Sequence, residues 1–285
     1  MSIIRRDFLK AKKVFLSIFI VFFFILTGCS NSDVSEHISS VQDASNKATQ
    51  LDNGKFSYVN VVENENEEQT QETEGIFVVQ DDYIDWHTEL VLGGGDNKTL
   101  TQTIQKDKTQ YQRFGRINVD YQFIGNDNEV LTEKPEWQII NEDATGYPDY
   151  LQSFMNLELN KDDIEKIEKK EENHLTIYEI SYNDSYLSSV KQNNISEINE
   201  QLDKAKQEDA DSNVISSLEN SLSYNEKITY KSIELISTVD DTGVLIRKEL
   251  QSSLEQIVNG SSQNIQMTDR VEILEYNGTD IKIEL

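Results

Sequence analysis

The sequence predicts an α+β fold in which one antiparallel β-sheet is covered by helices. Residues 55–141 and 227–285 place apolar side chains at every second position between turn signals, which is typical of strands with one buried face. Residues 34–51, 147–157 and 186–222 instead repeat apolar residues at intervals of three and four, which is typical of amphipathic helices. The short turns between the β segments favour antiparallel pairing.

The first helix is predicted over residues 34–51, and we expect it to end near Gly54. In the β-rich region that follows, Trp86 and Leu90 fall on one face of a strand and His87 falls on the other. This alternation predicts a meander of antiparallel strands with one buried face. The predicted strands lie at residues 56–62, 76–80, 84–92, 99–105, 119–123 and 137–140.

Between the two β-rich regions the apolar period changes. A helix is predicted to begin near Pro148, and residues 164–170 and 174–182 predict a hairpin. The first arm of that hairpin has the alternative of a short helix behind the N-cap signal at Asn160. Residues 186–222 are polar and acidic, and they predict either two helices or one helix and a mobile acidic loop.

The last third of the chain predicts a four-stranded meander. Apolar and polar residues alternate cleanly here, and Asn259-Gly260 is the strongest short hairpin signal in the chain. The predicted strands cover residues 227–239, 244–258, 265–276 and 281–285, with turns at 240–243, 259–260 and 277–278.

The N-terminus carries basic residues followed by an uninterrupted apolar run, Val14–Leu26. As a helix, these 13 residues span about 20 Å, which is short of the ~30 Å hydrocarbon layer of a bilayer. The length therefore favours a signal peptide, and the alternative is a signal anchor with an incidental cysteine. The only cysteine of the chain, Cys29, comes directly after this run and two small residues.

This N-terminus resembles a bacterial lipoprotein signal with its lipobox, Leu26-Thr27-Gly28-Cys29. The resemblance implies cleavage before Cys29 and attachment of diacylglycerol to its sulfur through a thioether. Acyl chains such as palmitate would then hold the protein on the extracytoplasmic face of the cell membrane. The implied division is a cleaved signal peptide (1–28), a lipidated tether (29–33) and a single domain (34–285) with a helical insertion at 185–222. The bias toward Asn, Lys and Ile fits an AT-rich genome and a Gram-positive host.

The charge of the chain excludes one class of partner. Removing residues 1–28 takes away five of the 26 basic residues and one of the 52 acidic residues, which leaves a net charge of −30. Such a chain is repelled by nucleic acid and by anionic membrane surfaces. We therefore expect no nucleic-acid binding and a membrane attachment that depends on the acyl chains of Cys29. With that cysteine acylated, no thiol remains for disulfide or zinc–thiolate chemistry.

The sequence lacks the motifs of the common catalytic and cofactor sites. The three histidines, His37, His87 and His174, do not have the spacing of a zinc site, and no nucleophile-elbow or phosphate-loop motif occurs. Asp209 and Asp211 begin like a calcium loop, but the required Gly at position six is absent. We therefore expect no enzyme activity, no metal and no cofactor.

The order of elements resembles that of the half-open β-barrel lipoprotein carriers, namely the LolA-like Lol chaperones and the LppX-like lipid-carrying lipoproteins of mycobacteria. That order is a lipobox, an N-terminal helix, antiparallel strands, a helical insertion and a long terminal meander. The resemblance implies a strongly curved antiparallel sheet, or half-barrel, with helices covering one face and acyl chains held between the two. The acidic stretch at 186–222 departs from the family pattern.

A curved sheet lined by apolar side chains and covered by helices leaves room for an apolar cavity. The candidate ligand-binding residues are Trp86, Phe123, Trp137, Phe154, Ile246 and Leu250. The alternative is that these side chains simply fill the core. Two hypotheses of function follow. The first is a lipid-anchored, non-enzymatic protein that binds an apolar or amphiphilic ligand such as a lipid. The second is a cell-envelope interaction module whose acidic surface binds a basic partner protein.

Overall fold

The computed structural model describes residues 31–65, 68–92, 98–125, 127–208, 210–258, 261–278, 281 and 283. The predicted signal peptide and Cys29 lie outside these residues, so lipidation stays a prediction. Helix α1 spans Asn31–Ala48 and therefore begins inside the predicted tether. In the part of the chain that the structure describes, no helix combines the length and the apolar character needed to cross a membrane.

Two successive meanders build one antiparallel sheet. The first comprises β1 Asn53–Asn64, β2 Glu68–Val79, β3 Ile84–Leu92, β4 Lys98–Lys106, β5 Thr109–Ile117 and β6 Gln138–Asn141. The second comprises β7 Ile164–Glu172, β8 Leu175–Tyr182, β9 Ile228–Val239, β10 Leu245–Val258 and β11 Ser261–Tyr276. The remaining helices are α2 Asp149–Met155, a 3₁₀ turn Lys161–Asp163, α3 Asp184–Gln207 and α4 Ser212–Lys227.

The strand order is β6-β5-β4-β3-β2-β1-β11-β10-β9-β8-β7. The two meanders are joined where β1 pairs with β11, for example Tyr58 opposite Val271. Strands β6 and β7 lie at the two outer edges, so the sheet is not closed. The prediction of a large antiparallel sheet with helices is confirmed, and the open order is consistent with a half-barrel.

Alternation along the strands gives the sheet two distinct faces. We call the face that carries Phe56, Phe77 and Trp86 the helix face, because α1 and α2 pack against it, and the opposite one the outer face. The Ser45 hydroxyl of α1 donates to the Met155 carbonyl of α2 at 3.0 Å and ties the two helices together. Buried side chains contributed by the helices are Ile38, Val41, Ala44, Ala48, Leu151, Phe154 and Met155.

The centre of the core depends on two reciprocal pairs of phenylalanine and glycine. Phe56 of β1 lies opposite Gly75 of β2, and Phe77 of β2 lies opposite Gly54 of β1. Both rings are fully buried. A Cβ atom at Gly75 would lie 2.4 Å from the Phe56 ring, and one at Gly54 would lie 2.6 Å from the Phe77 ring. Each glycine is therefore required by the ring that covers it.

The sequence analysis missed β5 and placed a strand after it. Gly115, a residue type that is common in turns, lies within β5, where a Cβ atom would meet the Phe123 ring at 2.8 Å. The predicted strand at 119–123 is instead a turn in which Tyr121 has a φ of 61°, with an isolated bridge between Ile117 and Phe123. Of the alternating apolar side chains at 119–123, only Phe123 packs on the sheet, whereas Val119 and Tyr121 are exposed.

Other predicted elements are confirmed with small shifts. Residues 164–172 form a strand rather than a short helix, and the hairpin turns at Asn173-His174, both with positive φ. The acidic stretch forms the two helices α3 and α4. Ile281 and Ile283, the described residues of the predicted last strand, are not in a strand. Asn259 and Gly260 lie outside the described residues.

The packing of Phe56 over Gly75 generates a stability prediction. In G75A the new methyl group meets the fully buried Phe56 ring and also the His87 carbonyl oxygen at 2.8 Å, and neither has room to move. We expect the free energy of unfolding to fall by about 1–3 kcal/mol, the usual cost of overpacking, as measured by urea denaturation. G146A is the matched control, because the group that its Cβ would meet is the flexible Gln152 side chain at 3.3 Å. Equal stability of G75A and G146A would contradict the prediction.

Candidate functional site

An open trough of about 660 Å³ lies on the helix face over strands β2–β5. Its floor consists of side chains from these four strands, and its wall is the segment 141–150, which leads into α2. The floor residues are Gln71, Thr73, Trp86, Thr88, Leu90, Thr101, Thr103, Gln105, Gln110 and Gln112.

Strand register brings the floor residues together. Thr88 of β3 lies opposite Thr103 of β4, which in turn lies opposite Gln112 of β5. In the neighbouring row, Leu90 lies opposite Thr101. Because side chains alternate between faces, a threonine or glutamine at every second position builds one continuous polar surface. Eight of the ten floor residues are Thr or Gln, so hydroxyl and amide groups dominate the floor.

The floor carries no charged side chain, although the chain as a whole is strongly acidic. The carboxylates that line the trough, Asp143 and Asp149, belong to the wall. On the outer face of the same strands, Glu74 of β2 lies directly opposite Glu89 of β3. Burial raises the pKa of the Glu74 carboxyl, and the carboxylates of Glu89 and Glu72 raise it further. The acidic residues of these strands are thus directed away from the trough.

The wall is fastened to the strands by a set of hydrogen bonds. The Trp86 indole donates to the Gly146 carbonyl at 3.0 Å, and the Gln105 amide donates to the same oxygen at 3.0 Å. The backbone amide of Ile84 donates to the Thr145 carbonyl at 3.1 Å. These bonds fix the backbone of the wall before any ligand arrives.

Helix α2 continues the wall and is held at three points. The Tyr150 ring stacks on Tyr58 of β1 at a centroid distance of 4.6 Å and an interplanar angle of 7°. The Lys248 ammonium of β10 donates to the Ser153 carbonyl at 2.7 Å, and Met155 is bound to α1 as described above. Burial raises the pKa of Tyr150 to about 12 and lowers that of Lys248 to about 8, although the nearby Asp269 carboxylate opposes the latter shift.

An apolar rim borders the floor on the side away from the wall. Leu92 and Phe114 are 41% and 64% exposed, and Leu90 is half-buried. Phe114 lies opposite Thr101, which lies opposite Leu90, so the rim and the polar floor share one face of the sheet. The site therefore presents uncharged polar groups next to accessible apolar groups.

The structure does not bring the six candidate ligand residues together. Trp86 lines the trough, but Phe154 is fully buried, and Ile246 and Leu250 are half-buried against the same core. Phe123 packs in a separate small cluster of the outer face, with Leu100 and Ile117. Trp137 lies under the Arg113 guanidinium, 4.1 Å from its ring centroid. Ligand binding by any of the six stays a prediction.

The physical reason for this separation is the connection between β5 and β6, which folds across the outer face instead of continuing the sheet. The threonine and glutamine floor gives no signal in the apolar periodicity on which the six candidate residues depend. The signal that would have found it is the run Thr99–Gln105, in which every helix-face position is Thr or Gln.

The outer face carries a polar network of its own. The Gln102 amide donates to the Glu89 carboxylate, and the Arg113 guanidinium donates to the Gln102 side-chain carbonyl at 2.6 Å. His87 lies nearby, with Nε2 3.9 Å from the Glu89 carboxylate. Burial lowers the pKa of His87, and the Glu89 carboxylate partly offsets this effect. Among the described residues, no group of three or more His, Cys, Asp and Glu side chains is arranged to hold a metal ion.

A second, smaller cleft of about 480 Å³ lies between α1, the segment 158–163 and the start of α3. It is lined by Gln42, Glu158, Leu159, Asn160, Asp163, Tyr182 and Tyr186.

No protein-family model matches this chain, and no curated protein matches it. It is similar at low identity to several solved structures, of which three are described. A DUF1329 family protein from Desulfovibrio piger is 8% identical, with 87% of this chain and 95% of that chain covered and a TM-score of 0.27. A putative outer membrane lipoprotein-sorting protein domain from Vibrio parahaemolyticus is 7% identical, with 87% and 95% covered and a TM-score of 0.22. The MucA/MucB complex of Pseudomonas aeruginosa is 9% identical, with 83% and 93% covered and a TM-score of 0.14.

At these TM-scores the similarities do not identify a ligand or a partner. The function has to be argued from the residues of this chain.

Lys248, whose ammonium group attaches β10 to α2, generates a prediction about how the stability of the protein depends on pH. The unfolded lysine keeps its proton up to about pH 10.4, whereas the folded one releases it near pH 8. Between these values the unfolded state binds more protons, so the stability of the wild type should rise with pH. K248M lacks this group, and we expect the wild type to gain stability relative to K248M between pH 8 and pH 10.

The measurement is urea denaturation across that range. K47M is the control for the loss of an exposed lysine that also donates to a backbone carbonyl, that of Thr242 at 3.0 Å. If the free energy of unfolding changed with pH in the same way in the wild type and in K248M, the pKa of Lys248 would not be lowered in the folded state, and the prediction would be wrong.

Proposed function

We propose that the protein is a lipid-anchored, extracytoplasmic binding protein without catalytic activity, and that its trough holds an amphiphilic ligand. The observation that carries the proposal is an uncharged polar floor bordered by an exposed apolar rim on one face of the sheet. An amphiphile has two corresponding parts, a polar part that forms hydrogen bonds and an apolar part that packs against apolar side chains.

The polar part of the ligand would lie on the floor. Threonine hydroxyls and glutamine amides each both donate and accept hydrogen bonds, so they bind uncharged polar groups without a counter-charge. The apolar part would lie along Leu90, Leu92 and Phe114. Covering such side chains contributes ~25 cal/mol for each Å² of apolar surface removed from water.

The trough is suited to binding because it is formed in advance. Its volume falls within the range of about 300–1,000 Å³ typical of small-molecule sites. The hydrogen bonds of Trp86 and Gln105 fix the wall, and Lys248 and Tyr58 fix α2 behind it. Because the residues of a preformed site do not have to become ordered when the ligand binds, binding costs less conformational entropy.

The membrane attachment in this proposal rests on the lipobox. A net charge of −30 after signal removal gives no attraction to an anionic membrane, so the anchor has to be covalent lipid. Non-enzymatic function is supported by the floor chemistry, because uncharged Thr and Gln side chains dominate the floor and the two carboxylates of the trough, Asp143 and Asp149, lie on the wall.

The acidic-surface hypothesis, in which a basic envelope protein is the partner, differs in its response to salt. Binding between opposite charges weakens as ionic strength rises. Binding of an uncharged amphiphile to an uncharged trough does not depend on ionic strength. A titration at low and high salt therefore separates the two hypotheses.

The apolar rim generates the prediction that tests the trough. We use the chain without residues 1–28 and with C29S, because the described core lies wholly between Ile38 and Ile281. The probes are tetraethylene glycol alkyl ethers with chains of eight and ten carbons, below their micelle concentrations. We expect the longer chain to bind more tightly, and F114A to weaken binding of the ten-carbon probe about tenfold, since burying a phenylalanine is worth about 1.5–3 kcal/mol when complete.

Isothermal titration calorimetry gives the affinities. I257A is the matched control, because Ile257 is 57% exposed on β10, outside the trough. F114A should fold normally, since Phe114 is already 64% exposed. No binding of either ether to the wild type, or equal losses in F114A and I257A, would refute the trough as an amphiphile site.

The lipobox generates a prediction about the mature N-terminus. Expressed in a Gram-positive host, the wild type should begin at Cys29 and carry the mass of a diacylglycerol and its acyl chains, whereas C29S should retain residues 1–28. Intact-mass spectrometry of the membrane fraction measures both. S30A is the control, because it alters the residue next to the cysteine without removing the thiol. A wild-type chain of full length with a free thiol would instead establish the signal-anchor alternative.

A further inference from the structure

We infer that the polar part of the ligand is a neutral saccharide, bound across the floor of the trough. The inference rests on the proposed function, since it names the chemical class of the ligand at the same site.

Charge on the lining selects the class of headgroup. No Lys, Arg or His is present among the residues that line the trough, so a phosphate or carboxylate would lose its hydration without a counter-charge. The wall carboxylates Asp143 and Asp149 would also repel an anion. A quaternary ammonium is usually held by a cage of aromatic faces, and the floor offers rows of Thr and Gln instead. An uncharged headgroup remains.

The number and arrangement of the polar groups favour a polyhydroxylated ring over a simple alcohol or ether. Threonine supplies one donor and two acceptor sites, and glutamine supplies two donors and two acceptor sites. The groups within reach of a ligand are the half-buried ones, since Thr73, Thr88 and Gln105 are buried. Across the strands, Thr103 and Gln112 lie at the inter-strand spacing of about 4.8 Å, and along β4 Thr101 and Thr103 are about 6.8 Å apart. This grid can engage hydroxyl groups around the whole edge of a sugar ring.

The aromatic ring at the rim completes the match. A pyranose has an apolar face of C–H groups that packs on an aromatic side chain, and Phe114 offers an accessible ring directly beside Thr101. Tyr150 is less available, because one face of its ring is covered by Tyr58. A saccharide would therefore lie with its hydroxyl edges on the floor and its C–H face toward Phe114, and the alkyl chain of the amphiphile would then lie along Leu90 and Leu92.

The contrast between the two faces of the sheet shows that this composition is local. On the outer face the same four strands carry Glu72, Glu74, Glu89 and Arg113, and on the helix face they carry Thr and Gln at the corresponding positions. Solubility does not require this difference in composition between the two faces, since charged residues would keep both faces hydrated. A neutral hydrogen-bonding ligand accounts for it.

The experiment compares three ten-carbon probes that differ in their headgroups: decyl maltoside, decyl tetraethylene glycol ether and decyl phosphocholine. Each is titrated below its micelle concentration into the same C29S chain without residues 1–28, and maltotriose is titrated as a saccharide without an alkyl chain. We expect decyl maltoside to bind at least tenfold more tightly than the other two amphiphiles, because it alone can use the whole polar grid.

The variant for this test is T101V/T103V, which removes two floor hydroxyls and keeps the shape of the side chains. We expect it to weaken decyl maltoside about tenfold or more, the effect of losing two hydrogen bonds. The matched control is T70V/T268V, because Thr70 and Thr268 both lie opposite Val61 and therefore on the outer face. Urea denaturation verifies that both variants are folded.

The outcomes separate this inference from the proposed function. Equal affinities for decyl maltoside and the decyl ether would contradict the inference that the headgroup is a saccharide, but they would still support the proposal that the trough binds an amphiphile. Binding of maltotriose without any gain from the alkyl chain would support the saccharide and overturn the amphiphile. Equal losses in T101V/T103V and T70V/T268V would place the saccharide elsewhere and overturn the inference. If no probe binds, both proposals fail.

Discussion

The packing of α1 over β7, β9 and β10 and of α2 over β11 is the constraint on which the rest of the structure depends. Helix α2 has only seven residues, too few to be stable by itself, so its position is set by tertiary contacts. Its Tyr150 ring lies 6.0 Å from the Phe56 ring, and the Tyr147 ring just before the helix packs edge-on against Phe77 at 5.5 Å. The opposing glycines let both phenylalanine rings lie close to the sheet. Where the helices pack, the helix face is filled, and beyond Trp86 it stays open. The trough is the part of the face that they leave uncovered.

The composition of the trough follows from what an uncovered face has to satisfy. Large apolar side chains there would form an exposed patch of the kind that promotes association. Charged side chains would stay soluble but would bind only ligands of opposite charge. Threonine and glutamine side chains can form hydrogen bonds with water without carrying a charge, which suits the half-buried Thr101, Thr103 and Gln112. Leu90, Leu92 and Phe114 at the rim are few enough to remain in contact with water.

The sequence was sufficient for the class of fold and for most elements, because alternation and helical spacing survive in every segment with one buried face. The sequence was insufficient where the same residue type is compatible with two different structural roles. Gly115 marks a turn in many chains, but here it makes room for the Phe123 ring. Phe123 and Trp137 have the character of core residues, yet they cover the outer face, which only the path of the β5–β6 connection decides. The trough could not be located because its position depends on where α2 stops covering the sheet.

The filled half of the helix face limits where the amphiphile that we propose could lie. In the half-barrel carriers that the element order resembles, acyl chains would lie between sheet and helices. In this chain that space is occupied by side chains such as Phe154 and Leu151, which are fully buried. An alkyl chain can therefore lie only along the rim, with one side against protein and the other toward water. Since a buried CH₂ contributes ~0.8 kcal/mol only when it is fully removed from water, chain contacts alone give modest affinity. In the binding mode that we propose, the headgroup would therefore supply the selectivity, and the ligand would be readily released.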